Sequence, residues 1–227
     1  MIVCALLASA VLCYGQSNFS KGEELLMQNK PSEAAVFLEN AVAEEAANAA
    51  AYLYLGIVYE QLGKTDEAIA VYRRILPTAG NLSANVANNL GNVYFQKGNA
   101  EIAEQYYSQA IGFDAVLSKA YLGRANTRIK AGNLRNAVSD YEQYLTLEPR
   151  ASQRASIEQL MGIIRAEFAA EERRRIAAEE EERRVAEERR QLLESVSASL
   201  QSAADLSRAI SSGAESVEEY DGEFELE

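Results

Sequence analysis

The chain has no histidine, and its two cysteines, Cys4 and Cys13, both lie in the apolar N-terminal segment. This removes histidine-based proton transfer and histidine–cysteine metal ligation. Beyond that segment it also removes thiol nucleophiles and disulfides. Serines and glutamates are plentiful, but none is placed with a credible base. No phosphate-binding glycine loop, dinucleotide turn or paired metal motif occurs. Adjacent acids such as Glu44 and Glu45 read as solvated helix surface. The expectation is a protein that is not an enzyme, with no cofactor and no metal. What remains is hydrogen-bonding chemistry. Asn88 and Asn92 stand about one helical turn apart and share a face. A side-chain amide both donates and accepts, so it pairs with a peptide backbone whatever that peptide's sequence.

The elements that must position these amides are set by a repeat. Tyr52–Ile75 reads as two short amphipathic helices joined by a turn at Gly63–Asp66, with landmarks at Gly56, Tyr59, Gly63, Ala68 and Tyr72. The landmarks return as Gly91, Tyr94, Gly98, Ala103 and Tyr107, and again as Gly132, Ala137 and Tyr141, followed by Pro149. A fainter copy lies upstream in Gly22, Leu25, Ala34, Leu38 and Ala41. Gly63 to Gly98 is 35 residues, while Gly98 to Gly132 and Ala34 to Ala68 are each 34. A fixed period of this size signals a stacked array, because one helix pair cannot bury its apolar face alone.

Small residues at Gly56, Gly91, Ala68, Ala103 and Ala137 let helices approach closely, and the tyrosines and leucines at 3–4 spacing fill the space between pairs. Tyr59, Tyr72, Tyr94, Tyr107 and Tyr141 therefore read as packing, since they recur with the repeat. The glycines that follow each first helix suit the left-handed conformation that ends a helix. Thr65, Asn99 and Asn133 are N-cap candidates for the second helices. The extra residue before the third copy falls near Pro77.

The pattern resembles the tetratricopeptide repeat. The match is carried by LGIVY, LGNVY, AIAVY and IAEQYY, and extends over Gly15–Pro149 in about four copies. No tryptophan occurs; Tyr52, Ala87 and Tyr121 stand where the family often has one. The resemblance implies an all-α helix-turn-helix solenoid. It also implies that the first helices line a concave groove which takes an extended peptide or a helix of a protein partner. The inward candidates are Asn85, Asn88, Asn92 and Gln96 from the third copy, and Lys119, Leu122, Asn126 and Lys130 from the fourth. Leu53, Ile57 and Gln61 join them from the second copy. Lys119 and Lys130 offer charge to a carboxylate. Some family members grip a C-terminal carboxylate with lysines, arginines and asparagines. Only fragments of that pattern occur here, because Phe19 and Glu23 on the first copy are neither basic nor amide. A solvated groove, or hydrogen bonds local to the array, is the alternative use for these amides.

The flanks follow other rules. Met1–Tyr14 is almost wholly apolar, with small residues at Ala8, Ser9, Ala10 and Gly15, and resembles the hydrophobic region of a secretory signal peptide. No lysine or arginine precedes it. A signal peptide predicts export to a periplasmic or cell-envelope location. A retained or lipidated segment predicts membrane association, and a segment with no signal role leaves the protein cytoplasmic. Residues 151–170 read as a helix capping the array through Ile157, Leu160, Met161, Ile164 and Phe168. Residues 171–210 read as a long Glu/Arg-rich helix, with Glu171–Arg175, Glu179–Arg183 and Glu180–Arg184 as i, i+4 pairs. This helix is also a surface for oligomerisation or a coiled coil. Residues 211–227 carry seven acids and no base, which is the composition of a disordered acidic tail. The net charge of −12 leaves no basic footprint for nucleic acid. Two functions follow as expectations: an interaction scaffold that holds a partner segment in the groove, or a structural component of a cell-envelope assembly that oligomerises through its C-terminal helix.

Overall fold

The structure is a computed structural model that describes residues 17–214. The signal-peptide reading of the N-terminal segment falls outside this range, as does the disordered-tail reading from residue 215 on; residues 211–214, expected to open that tail, are instead helical. The chain divides into two units, Met1–Ile164 and Arg165–Glu227.

In the first unit eight helices pack in consecutive pairs: α1 (Asn18–Met27) with α2 (Pro31–Glu44), α3 (Ala49–Gln61) with α4 (Thr65–Ile75), α5 (Ser83–Gln96) with α6 (Ala100–Phe113), and α7 (Ser118–Lys130) with α8 (Leu134–Leu147). Each second helix also packs on the next first helix, and first helices touch across pairs, α3 with α5 and α5 with α7. This is the expected solenoid. Its closest approaches are made by glycine. An alanine Cβ at Gly56 would lie 2.1 Å from the Tyr72 ring, and one at Gly91 would lie 2.7 Å from the Tyr107 ring. Both rings are buried. The first copy uses a smaller version of the same contact, with Gly22 set against Leu38.

The turns follow one rule with two chemistries. Gly63, Gly98 and Gly132 all have positive φ, and in the faint first copy Asn29 takes that place at φ 57°. Asparagine is the non-glycine residue that tolerates this region best, so the first turn keeps its geometry without the signature glycine. Helix starts are less uniform than the sequence suggested. Asn99 caps α6 by accepting from the Ile102 amide, whereas the Asn133 side chain makes no cap bond. Thr65 is not a cap at all. It is the first residue of α4, Lys64 precedes it, and its hydroxyl lies 3.5 Å from the Gly63 carbonyl. The extra residue of the third copy is absorbed by two short 3-10 turns, Leu76–Thr78 and Gly80–Leu82, with Pro77 at the start of the first.

The fourth copy replaces apolar packing with ions. Tyr94 and Tyr106 stack at 5.4 Å between ring centres in the third copy. Residues 34 positions on are Arg128 and Asp140, and their side chains pair at 2.7 Å. Arg124, at the position of Leu90, makes a two-pronged bond to the same carboxylate at 2.7 and 2.9 Å and reaches Ser108 at 3.0 Å. Arg128 also holds Glu104 at 2.7 Å. Asp140 is 3% exposed, so its charge is acceptable only because two guanidinium groups surround it. The network joins α6, α7 and α8.

α9 runs Arg154–Ala214. Within the first unit Ile157, Met161 and Ile164 are buried, and the Arg154 guanidinium donates to the carbonyls of Leu145 and Pro149. In the second unit the helix is exposed almost throughout. Arg175 bridges Glu172 and Glu179, and Arg184 bridges Glu181 and Glu188, so the Glu171–Arg175 and Glu180–Arg184 pairs of the sequence reading give way to these. A guanidinium has donors enough for two carboxylates, and here each takes one acid a turn behind and one a turn ahead. No helix among the described residues is long and apolar enough to cross a membrane.

Candidate groove of the repeat array

Two adjoining hollows, of about 310 and 270 Å³, open along the first helices of the array. The first is walled by Leu53, Ile57, Glu60 and Gln61 of α3, Asn85 and Asn89 of α5, and Lys119 of α7. The second is walled by Asn88, Asn92 and Phe95 of α5 and by Lys119, Leu122, Gly123 and Asn126 of α7, with the Tyr107 ring at its floor. Lys119 belongs to both. Nine of the eleven inward candidates from sequence, Leu53, Ile57, Gln61, Asn85, Asn88, Asn92, Lys119, Leu122 and Asn126, therefore stand along them. Gln96 and Lys130 line neither hollow; Lys130 instead sits over the Phe95 ring at 5.3 Å. Each is the last residue of its helix.

The amides are partly committed to the array itself. The Tyr107 hydroxyl donates to Asn92 Oδ1 at 2.8 Å, and the Tyr141 hydroxyl donates to Asn126 Oδ1 at 2.6 Å. In the second copy Ile57 occupies the matching position and offers no acceptor. There the Tyr72 hydroxyl donates to Glu60 at 2.5 Å and accepts from Asn89 at 3.2 Å. The tyrosines were expected to pack, and they do. They also fix which end of each amide is available, because an oxygen held by a phenol leaves the Nδ2 group as the free donor. Asn88 is buried, donates to Asn89 at 3.3 Å, and has an Oδ1 without a partner among the described residues. Glu60, Asn89 and Phe95 were not singled out from sequence. Glu60 and Phe95 occupy the same repeat position, one turn after Gly56 and Gly91, and that spacing was the signal available.

The ionisable groups respond to burial. Burial, then the Glu60 charge and hydrogen bond, pushes the Tyr72 phenol well above the ordinary tyrosine range, with the Asn89 bond opposing. Tyr107 is raised by burial and by the Glu60 charge. Burial raises Glu60 itself, against the lowering effect of the Tyr72 hydrogen bond. Lys119 is exposed by surface area, but the crowd of groove atoms around it desolvates the ammonium and lowers its pKa. The result is a cleft with apolar patches, a row of side-chain amides, the Glu60 carboxylate tied to Tyr72, and one cation without an ion-pair partner among the described residues.

Comparison with known proteins agrees with this architecture. Tetratricopeptide repeat models match residues 47–115 and 118–150. RNA polymerase II-associated protein 3 of Xenopus laevis is 31% identical over 110 residues, which cover 48% of this chain and 16% of that protein. The Mus musculus protein of the same name is 33% identical over 94 residues, covering 41% and 14%. This chain thus spans less than a fifth of the length of the curated relatives it matches. Among solved structures, MamA is similar with a TM-score of 0.58 at 19% identity, over 65% of this chain and 84% of MamA. YrrB, described as a tetratricopeptide repeat protein with an unusual peptide-binding site, gives 0.56 at 20% identity, over 67% and 76%. The in-phase glycine–tyrosine contacts, the paired helices and the two family matches lead to one conclusion: the array of this chain is built of tetratricopeptide repeats.

Proposed function

We propose that this protein is an interaction scaffold that holds an extended segment of another protein in the groove of α3, α5 and α7, without a chemical step. The observation that carries the reading is the pair of adjoining hollows that share Lys119. Leu53, Ile57 and Leu122 give apolar seats for side chains, while the Nδ2 groups of Asn92 and Asn126 and the Lys119 ammonium give donors. A donor-rich cleft selects acceptors, so the ligand is bound chiefly through peptide carbonyls and an acidic side chain or terminus. Repeats of this family serve generally as non-catalytic interaction modules, and YrrB is described as having a peptide-binding site. Both support the reading.

The test is selection of linear peptides from a random library on the full chain, followed by binding to Lys119→Glu. Reversing the one cation common to both hollows is expected to weaken selected peptides at least about tenfold, which is about 1.4 kcal/mol. Lys119 is exposed and has no ion-pair partner among the described residues, so the melting temperature is expected to stay unchanged. Peptides that bind Lys119→Glu as well as the parent would place recognition elsewhere.

A further inference from the structure

The part of α9 from Leu192 to Ile210 carries an apolar face that no described residue of its own unit covers. Leu193, Val196, Leu200 and Ile210 are each 48–73% exposed. With Ala203 and Ser207 they fall at alternating steps of three and four residues, which is the spacing of a two-helix seam. Leu192 and Leu206 widen the face, and Ser197, Ser199 and Ala204 beside it are small enough to let a second backbone approach closely. The segment lies within a continuous helix, so its pairing requires no new helix nucleation.

We infer that this face is covered by the same face of a second copy of the chain, running antiparallel. Three features select that occupant and that direction. First, antiparallel overlap sets Leu193 opposite Ile210, Val196 opposite Ser207, and Leu200 opposite Ala203. Two of these three layers match a large residue with a small one, so the seam closes without overpacking. Second, the antiparallel overlap confines the seam to Leu193–Ile210. A parallel pair would carry the seam back to Glu182 and Glu179, where like carboxylates would face one another. Third, the opposite face does not suit lipid. A helix that lies on an anionic membrane is rich in lysine and arginine on its polar side, whereas this segment has Glu194 and Asp205 against Arg208 alone. The overlap is about 27 Å long and buries roughly 1,000 Å², near the lower bound for a specific interface. A reversible dimer follows, separate from the groove.

The test is sedimentation equilibrium of the full chain over a hundredfold range of concentration. The wild type is expected to pass from one chain mass to two. Leu200→Asp is expected to weaken self-association at least about a hundredfold by placing an unpaired carboxylate in the seam, with helical circular dichroism unchanged because the residue is exposed in the single chain. A wild type that stays monomeric, a mass above two chains, or a Leu200→Asp variant that still dimerises would each overturn the inference. Direction is read by crosslinking with Cys4 and Cys13 replaced by serine. Leu193→Cys mixed with Ile210→Cys is expected to form a disulfide between the two variants, while neither does so alone, since like positions would lie about 26 Å apart. Disulfides formed by each variant alone would establish a parallel pair and overturn the antiparallel arrangement. A monomer that sediments with phosphatidylserine vesicles would assign the face to lipid instead.

Discussion

Replacing Gly56 with alanine tests the packing logic of the whole array. An added methyl group would lie 2.1 Å from Cε1 and 2.4 Å from Cζ of Tyr72, well inside contact distance. The ring cannot swing away. It is fully buried, and its hydroxyl is held by Glu60 and Asn89. The strain belongs at the upper end of what overpacking costs, about 3 kcal/mol. Alanine returns about 1 kcal/mol through its better helix propensity. The net loss is about 2 kcal/mol, or roughly 4–8 °C in melting temperature for a domain of this size. Thermal melts followed by circular dichroism read it directly. Gly112→Ala is the matched control: it sits in α6 with nothing within 4 Å of the added carbon, and it is expected to melt at or slightly above the parent. A Gly56→Ala protein as stable as Gly112→Ala would refute the argument that glycine is there to admit the tyrosine ring.

Two further outcomes are expected. Asp140→Asn removes the charge that Arg124 and Arg128 share, leaving two guanidinium groups facing a neutral amide, so it is expected to cost about 3–5 kcal/mol in urea unfolding; a change below about 1 kcal/mol would mean that the network is solvated. The array is also expected to lose stability in alkali. Tyr72, Tyr107 and Tyr141 are raised by burial, and Tyr59 is pushed up to about 12 by burial and its bond to Glu39. A raised phenol keeps its proton in the folded state when the unfolded chain has released it, so this stabilisation is complete below about pH 10 and is lost as pH rises toward the folded values. Unfolding midpoints measured from neutral pH upward, with tyrosinate absorbance alongside, check this; a midpoint that holds flat through the tyrosine range would contradict it.

The sequence by itself determined the repeat, its phase and the identity of the core. A period of 34 or 35 residues, with glycine and tyrosine in fixed register, admits only one way for neighbouring pairs to bury their faces, and Gly56, Gly91, Tyr72 and Tyr107 sit where that logic puts them. It also named nine of the residues that wall the hollows, because spacing fixes a helical face and the resemblance to the repeat family marks which helices line the groove. Tertiary structure decided what those side chains are bonded to. That Asn92 and Asn126 give their oxygens to tyrosines of the following helices, that Glu60 takes this role where Ile57 stands in the amide position, and that Arg124, Arg128 and Asp140 replace a leucine and a stacked aromatic pair all depend on partners 12 to 16 residues away on another helix. Local spacing fixes which face a residue occupies. Which atom it meets there depends on how one helix is set against the next, and only the assembled array fixes that.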